Sequence, residues 1–178
     1  MFGPEENVKL PLITTIVLLF GNSSALGLEV DKKIEVPGAP AQIWEIARDF
    51  CAIKAWHPFV ADCKQTNEGH TILRTLTAKN GVTIKEKLVQ SDDRSYSYEI
   101  IESPLPVKNY NAKLWVEEGE RPNHTVIHWD AEFDAKGASD DEAKKKINDI
   151  LAAGLKGIKK IAVDKTEGQN TEGQETGN

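Results

Sequence analysis

An arginine and a glutamate in one candidate β-hairpin are the residues whose types and spacing are most informative about chemistry. The sequence of residues 71–90 predicts two strands, one on each side of a turn signal, Asn80-Gly81. A three-residue turn with Gly81 in the left-handed conformation places Arg74 opposite Glu86 on an otherwise apolar face. A two-residue turn would instead oppose Arg74 to a lysine, and directly opposed like charges are unfavourable. We therefore predict the register that pairs Arg74 with Glu86.

This pair has two interpretations. A buried ion pair is a poor source of stability, so one inside an apolar face indicates specificity or the polar end of a ligand site. The alternative is a structural bridge near the edge of the sheet. The sequence leaves both interpretations open for Arg74 and Glu86.

His57 lies between Trp56 and Pro58, where it could reach the mouth of a cavity. As a general base it would need an acidic partner that the sequence does not identify. A second group of polar residues falls on the outward face of the last strand. Positions two apart on a strand are separated by nearly 7 Å, which is poor geometry for one metal ion. We therefore expect a solvated outer face without a metal at His124, His128, Asp130 and Glu132.

The two cysteines, Cys51 and Cys63, fit no zinc-binding spacing. A disulfide between them is plausible if the protein leaves the cytoplasm, and two separate buried thiols are the alternative. The sequence also contains no nucleophile elbow, no phosphate-binding glycine loop and no catalytic triad that its spacing supports. We predict no catalytic residue.

The pattern of elements predicts an α+β domain over residues 28–163. A first strand ends at Pro37-Gly38, and a helix starting at Pro40 and broken near Asp49 follows it. Six strands fill residues 59–135, and an amphipathic helix covers 140–163 with a Ser139–Glu142 capping box. Apolar and aromatic stripes on the strands are ordinary core or the lining of a pocket for a small apolar ligand, and they include Tyr98, Tyr110 and Trp129.

Two glycines interrupt the predicted C-terminal helix. Gly154 and Gly157 allow close approach of a strand or a ligand, or else are neutral surface positions. Beyond residue 163 the chain is polar and repetitive, which predicts a disordered tail over 164–178.

The apolar run Leu10 to Phe20 is too short to span a membrane and is typical of a secretory signal peptide. Ala25-Leu26-Gly27 predicts a signal peptide over 1–27 that is cleaved before Leu28. The location would then be periplasmic or secreted. A buried N-terminal helix and an uncleaved anchor remain as alternatives. The net charge of −6 argues against nucleic-acid binding and against electrostatic docking on anionic membranes.

Several short blocks, taken in order, resemble one known family of ligand-binding domains. The sequence is similar to the SRPBCC superfamily of START-like, polyketide cyclase/dehydrase and lipid-transport proteins. That resemblance implies a helix-grip fold, in which a seven-stranded curved antiparallel sheet surrounds a long C-terminal helix and encloses a hydrophobic cavity. The cavity candidates are Trp56, His57, Arg74, Glu86, Tyr98, Tyr110 and Trp129. The blocks are Ala39-Pro40-Ala41-Gln42-Ile43-Trp44, Trp56-His57-Pro58, Arg74-Thr75-Leu76-Thr77, Asn80-Gly81, Glu86-Lys87-Leu88, Arg94-Ser95-Tyr96-Ser97-Tyr98, Pro104-Leu105-Pro106-Val107 with Tyr110, and the strand of Trp129.

Within that superfamily the Trp-His-Pro, Arg-Thr-Leu-Thr and Pro-Leu-Pro-Val blocks, with the signal peptide, resemble MxaD-type proteins. Those are periplasmic accessory proteins of PQQ-dependent methanol oxidation. The resemblance implies a non-catalytic role beside a periplasmic dehydrogenase or cytochrome, with no cofactor in this chain. Two alternatives are a cyclase/dehydratase-type enzyme that uses His57 or Glu86 as acid–base, and a carrier of lipid-like molecules.

Overall fold

The computed structural model describes the backbone of residues 27–175 and the side chains as far as residue 168. The predicted signal peptide and its cleavage site therefore remain a prediction, because all but Gly27 of that segment lies outside the described residues. The elements, in chain order, are β1 (Leu28–Pro37), α1 (Pro40–Ala47), α2 (Ile53–Trp56), β2 (Val60–Glu68), β3 (Thr71–Ala78), β4 (Thr83–Ser91), β5 (Ser95–Glu102), β6 (Val107–Glu118), β7 (His124–Ala135) and α3 (Asp140–Glu175).

The seven strands form one antiparallel sheet in the order β1-β7-β6-β5-β4-β3-β2. Alternate residues of β6 and β7 are buried, as expected for strands with one face against a core. Register shifts interrupt the ladder in β2, β4 and β6, and bulges of this kind bend a strand and increase its twist. The curved sheet and the long C-terminal helix confirm the predicted helix-grip architecture.

The hairpin between β3 and β4 has the predicted register. The backbone N–H of Ala78 donates to the carbonyl of Val82 over 2.8 Å, and Gly81 has a φ of 82°. A glycine suits this left-handed position because it has no Cβ. Arg74 consequently stands opposite Glu86.

The two short helices correspond to the predicted helix and its break. Pro40 begins α1, where its missing N–H is no loss. The helical segment ends at Trp56, and a disulfide between Cys51 and Cys63 joins the turn before α2 to the edge strand β2, with Cα atoms 5.6 Å apart. The disulfide alternative for these cysteines is therefore confirmed.

Helix α3 lies against the inner face of the sheet at β1 and β7. Ser139 and Glu142 form the predicted capping box, with the Ser139 N–H donating to the Glu142 carboxylate over 2.9 Å. One face of the helix is buried, as its sequence predicts, through Ala143, Ile147, Leu151, Leu155, Ile158 and Ala162.

The backbone is helical as far as Glu175, whereas the polar composition predicts a disordered tail from residue 164. Lys160 pairs with Asp164 at 2.9 Å one helical turn later, and the Thr166 hydroxyl donates to the carbonyl of Ala162. Ion pairs four residues apart, such as Lys160–Asp164, stabilise a helix modestly. The amino-acid composition of the tail does not reveal such pairs, because composition contains no information on the spacing of residues.

Candidate ligand-binding cavity

A cavity of about 360 Å³ lies between the inner face of the sheet, the segment after α2 and helix α3. Its volume falls near the lower end of the range for small-molecule sites. The lining is mainly apolar, with a few polar groups. It consists of Ile53, His57, Phe59, Val60, Leu76, Ala78, Lys79, Asn80, Val82, Ile84, Glu86, Tyr98, Ile100, Leu105, Tyr110, Trp129, Lys146, Ile147 and Ile150.

The Arg74–Glu86 ion pair lies at the inner wall of this cavity. The Arg74 Nε donates to Glu86 Oε2 over 2.5 Å, and both residues are almost wholly buried, at 0% and 4% exposed. Arg74 Nη1 donates to the carbonyl of Phe50, and the guanidinium carbon lies 3.8 Å from the Phe50 ring centroid. Arg74 Nη2 is buried with no hydrogen-bond partner in the described part of the chain. The guanidinium therefore ties the turn between α1 and α2 to strand β4.

Glu86 is the only carboxylate in the cavity lining within the described residues. Burial raises the pKa of its carboxyl, and the nearby Arg74 guanidinium opposes that rise. Burial disfavours a carboxylate charge because water no longer solvates it. The Glu86 side chain thus presents a carboxylate that is paired with Arg74 inside an otherwise apolar space.

Two tyrosines provide further polar groups on the cavity wall. The indole Nε1 of Trp129 donates to the Tyr98 hydroxyl over 3.1 Å. The Tyr98 oxygen therefore acts as an acceptor and keeps its own proton for donation. Burial raises the pKa of both Tyr98 and Tyr110, so both phenols are neutral at physiological pH. Their rings lie 6.1 Å apart.

His57 is held neutral by its surroundings. Its Nε2 donates to the carbonyl of Ile150 in α3 over 3.1 Å, and its Nδ1 accepts the N–H of Phe59 over 3.2 Å. Burial, together with a smaller effect of the positive charge of Arg74, lowers the pKa of the ring to about 4, although the hydrogen bond to Ile150 opposes this change. Because both ring nitrogens are already bonded, His57 has no free lone pair with which to act as a general base. Its position indicates a structural role.

Five of the seven predicted cavity residues line this space: His57, Glu86, Tyr98, Tyr110 and Trp129. The other two lie directly behind it. Arg74 reaches the cavity only through Glu86, and Trp56 packs edge-on against Trp129 with ring centroids 5.5 Å apart.

Most of the remaining lining was not identified from the sequence. Leu76, Ile84 and Ile100 belong to apolar stripes that could equally have been core, and only the structure separates lining from core. Lys79 and Lys146 were missed for a different reason. Exposed lysines are ordinary on any surface, and only their shared position on the cavity separates these two from the others.

The outward face of β7 contains no metal site. His128 stacks on Trp115 with ring centroids 4.5 Å apart, and its Nε2 lies 2.8 Å from the Glu117 carboxylate. No group of three or more histidine, cysteine or acidic side chains within residues 27–168 could hold a metal ion. No helix in the same range has the length and apolar character needed to cross a bilayer. A larger, mainly polar groove of about 540 Å³ beside Asn109 contains no buried ion pair.

Residues 28–163 match the protein family described as polyketide cyclase/dehydrase and lipid transport. The chain belongs to this family. The family match runs from the first residue of β1 into α3 and so spans the sheet and the helix described above. No curated protein matches the sequence.

Solved structures similar to this family member include proteins from two bacilli. The protein XoxI from Bacillus cereus is 31% identical with a TM-score of 0.73, covering 77% of this chain and 96% of its own. An uncharacterized protein from Bacillus thuringiensis is 30% identical with a TM-score of 0.71, covering 76% and 98%. The Zhui aromatase/cyclase from Streptomyces is 16% identical with a TM-score of 0.63, covering 78% and 94%, and shares the fold alone.

Proposed function

We propose that this protein is an exported, non-catalytic member of its family that binds a small apolar ligand between the sheet and α3. The observation that carries the proposal is the mainly apolar cavity with the Glu86 carboxyl on its wall. An apolar space with a few convergent polar groups is typical of small-molecule sites. A space of this kind also fits a carrier of lipid-like molecules.

The Cys51–Cys63 disulfide supports the exported location. Structural disulfides persist in oxidising compartments such as the bacterial periplasm and are rare in the cytosol. The signal-peptide pattern before Leu28 points in the same direction.

Within this function we infer an accessory role beside a periplasmic dehydrogenase or cytochrome, as in MxaD-type proteins of methanol oxidation. The support for this narrower role is the resemblance of the Trp56-His57-Pro58, Arg74-Thr75-Leu76-Thr77 and Pro104-Leu105-Pro106-Val107 blocks. A pull-down from the native periplasm with the tagged mature chain tests it. Recovery of a methanol dehydrogenase or its cytochrome supports the role, and recovery of no oxidoreductase would contradict it.

Native mass spectrometry of the protein produced in a bacterial periplasm tests ligand binding and export together. We expect a polypeptide that starts at Leu28, two hydrogens fewer than the reduced mass, and additional mass that disappears on denaturation. A chain that starts at Met1 would contradict export, and an apo mass in every growth condition would count against ligand binding.

A cyclase/dehydratase-type enzyme is the second candidate, and one observation favours it. Glu86 is a carboxyl of raised pKa in an apolar cavity, which is a suitable environment for proton transfer. His57 does not share this potential, because both of its nitrogens are bonded. If turnover of a cyclisable substrate is found, Glu86→Gln should abolish it while ligand binding persists. Turnover that survives in folded Glu86→Gln would exclude Glu86 as the acid–base.

A further inference from the structure

The mouth of the cavity contains two lysines from separate elements. Lys79 lies in the turn between β3 and β4, and Lys146 lies on α3. Both residues line the cavity and are also exposed to solvent, which places them at its solvent-facing side.

Neither lysine has a direct ion-pair partner among the described residues. No ion pair or side-chain hydrogen bond involves Lys79 or Lys146 within the described part of the chain. The carboxylate of Asp149 pairs with Lys145 at 2.7 Å; this hydrogen bond is the main cause that lowers the pKa of Asp149, and Lys146 makes only a small contribution. Among the described residues, the cavity lining contains one carboxylate, Glu86, and Arg74 balances its charge from behind.

This local charge is opposite to that of the whole molecule. The chain has a net charge of −6, whereas the charged residues of the described cavity lining, Lys79, Lys146 and Glu86, sum to +1, and Arg74 behind the wall balances Glu86. Two lysines without ion-pair partners among the described residues, both beside one cavity, give it a locally positive potential in a molecule of negative net charge. An anionic group at the opening of the cavity would be attracted by both lysine side chains and would stay hydrated.

We propose that the cavity takes a small amphipathic anion, with its apolar body inside and its acidic group between Lys79 and Lys146. The apolar body packs against Ile147 and Trp129, and the acidic group remains hydrated at the mouth. This inference rests on the proposed ligand-binding function and specifies the chemical class of the ligand.

Two fluorescent probes with one apolar body test the proposal. Phenylnaphthylamine is neutral, and anilinonaphthalene sulfonate is the same body with a sulfonate. Both are titrated into the mature, disulfide-bonded chain at low salt. We expect the sulfonate to bind about tenfold more tightly, because each exposed ion pair contributes only modestly. The Lys79→Gln/Lys146→Gln double variant should bring the two dissociation constants to within about twofold, with that of the neutral probe unchanged.

Two control variants define where the probes bind. Lys159→Gln removes the same charge from an exposed position of α3 outside the cavity, and should leave the preference intact. Ala78→Trp fills the cavity and should weaken both probes. Sulfonate binding that survives Ala78→Trp would overturn the proposal.

The remaining outcomes separate this inference from the function on which it rests. Equal binding of the two probes by the wild-type chain would overturn the anion proposal and leave an apolar ligand site. A sulfonate preference that persists in the double lysine variant would overturn it as well. Failure of both probes to bind would overturn the ligand-binding function together with the proposal.

Discussion

At the scale of single residues, His57 couples the stability of the fold to pH. Its Nδ1 accepts the N–H of Phe59, and a proton on Nδ1 would leave two donors facing each other. The pKa of the folded ring is about 4, below the ordinary value of 6.5, so the unfolded chain takes up this proton first as the pH falls. The stability that the neutral His57 ring gives the fold is complete above the pKa of the ring in the unfolded chain. It is lost as the pH falls toward the pKa of the ring in the folded protein.

We therefore expect His57 to reduce the free energy of unfolding by about 3 kcal/mol between neutral pH and roughly pH 4. Urea unfolding across this range measures the loss. In His57→Gln, whose amide can retain hydrogen bonds but does not titrate, this part of the pH dependence should disappear. Identical pH profiles for the wild type and His57→Gln would contradict the assignment.

Arg74 and Glu86 should be strongly coupled in stability. Glu86→Gln leaves the Arg74 guanidinium buried without a counter-charge, so we expect it to lower the free energy of unfolding by about 3–5 kcal/mol. Replacing both residues, Arg74→Met with Glu86→Leu, should recover most of the loss because no buried charge remains. Chemical denaturation of the single and double variants gives the coupling. Additive losses would show that the two side chains act independently.

At the scale of elements, Gly157 allows the segment after α2 to lie on α3. A Cβ at this position would lie 1.7 Å from the carbonyl oxygen of Trp56, and one at Gly154 would lie 2.5 Å from the Trp129 ring. The sequence left close approach and surface neutrality open for these glycines, and the structure supports close approach.

We expect Gly157→Ala to destabilise the fold by about 2 kcal/mol or more, although alanine is the better helix former. The methyl group must displace backbone, which cannot move as a flexible side chain can. Thermal unfolding measures the change, and Gly168→Ala, at an exposed position of the same helix, is the matched control. A Gly157→Ala variant as stable as the control would contradict the packing described here.

The disulfide should stabilise the same region from its other side. Cys51 and Cys63 are separated by 12 positions, and closing so short a loop contributes roughly 3 kcal/mol in the chain-entropy picture. A reductant should therefore lower the melting temperature of the wild type. The Cys51→Ser/Cys63→Ser variant should melt at the reduced value and show no response to reductant. Equal melting temperatures with and without reductant in the wild type would rule out a structural contribution.

At the scale of the whole molecule, the sequence predicted the architecture well and the cavity in part. The alternation of β6 and β7, the Gly81 turn and the Ser139 cap are local signals, and each is sufficient to define its element. The cavity depends on how far α3 lies from the sheet, which no local pattern records. Trp56 and Arg74 therefore lie behind the wall that they were predicted to line.

The central claim is that a small apolar ligand binds between the sheet and α3. Two of the four tryptophans allow a direct test. Trp129 lines the cavity and its indole N–H bonds to Tyr98, whereas Trp115 stacks on His128 at the outer face. Proton–nitrogen NMR resolves each indole N–H during titration with phenylnaphthylamine. We predict a saturable shift of the Trp129 signal while the Trp115 signal stays in place. Equal shifts of both signals, or no shift of Trp129, would contradict the claim.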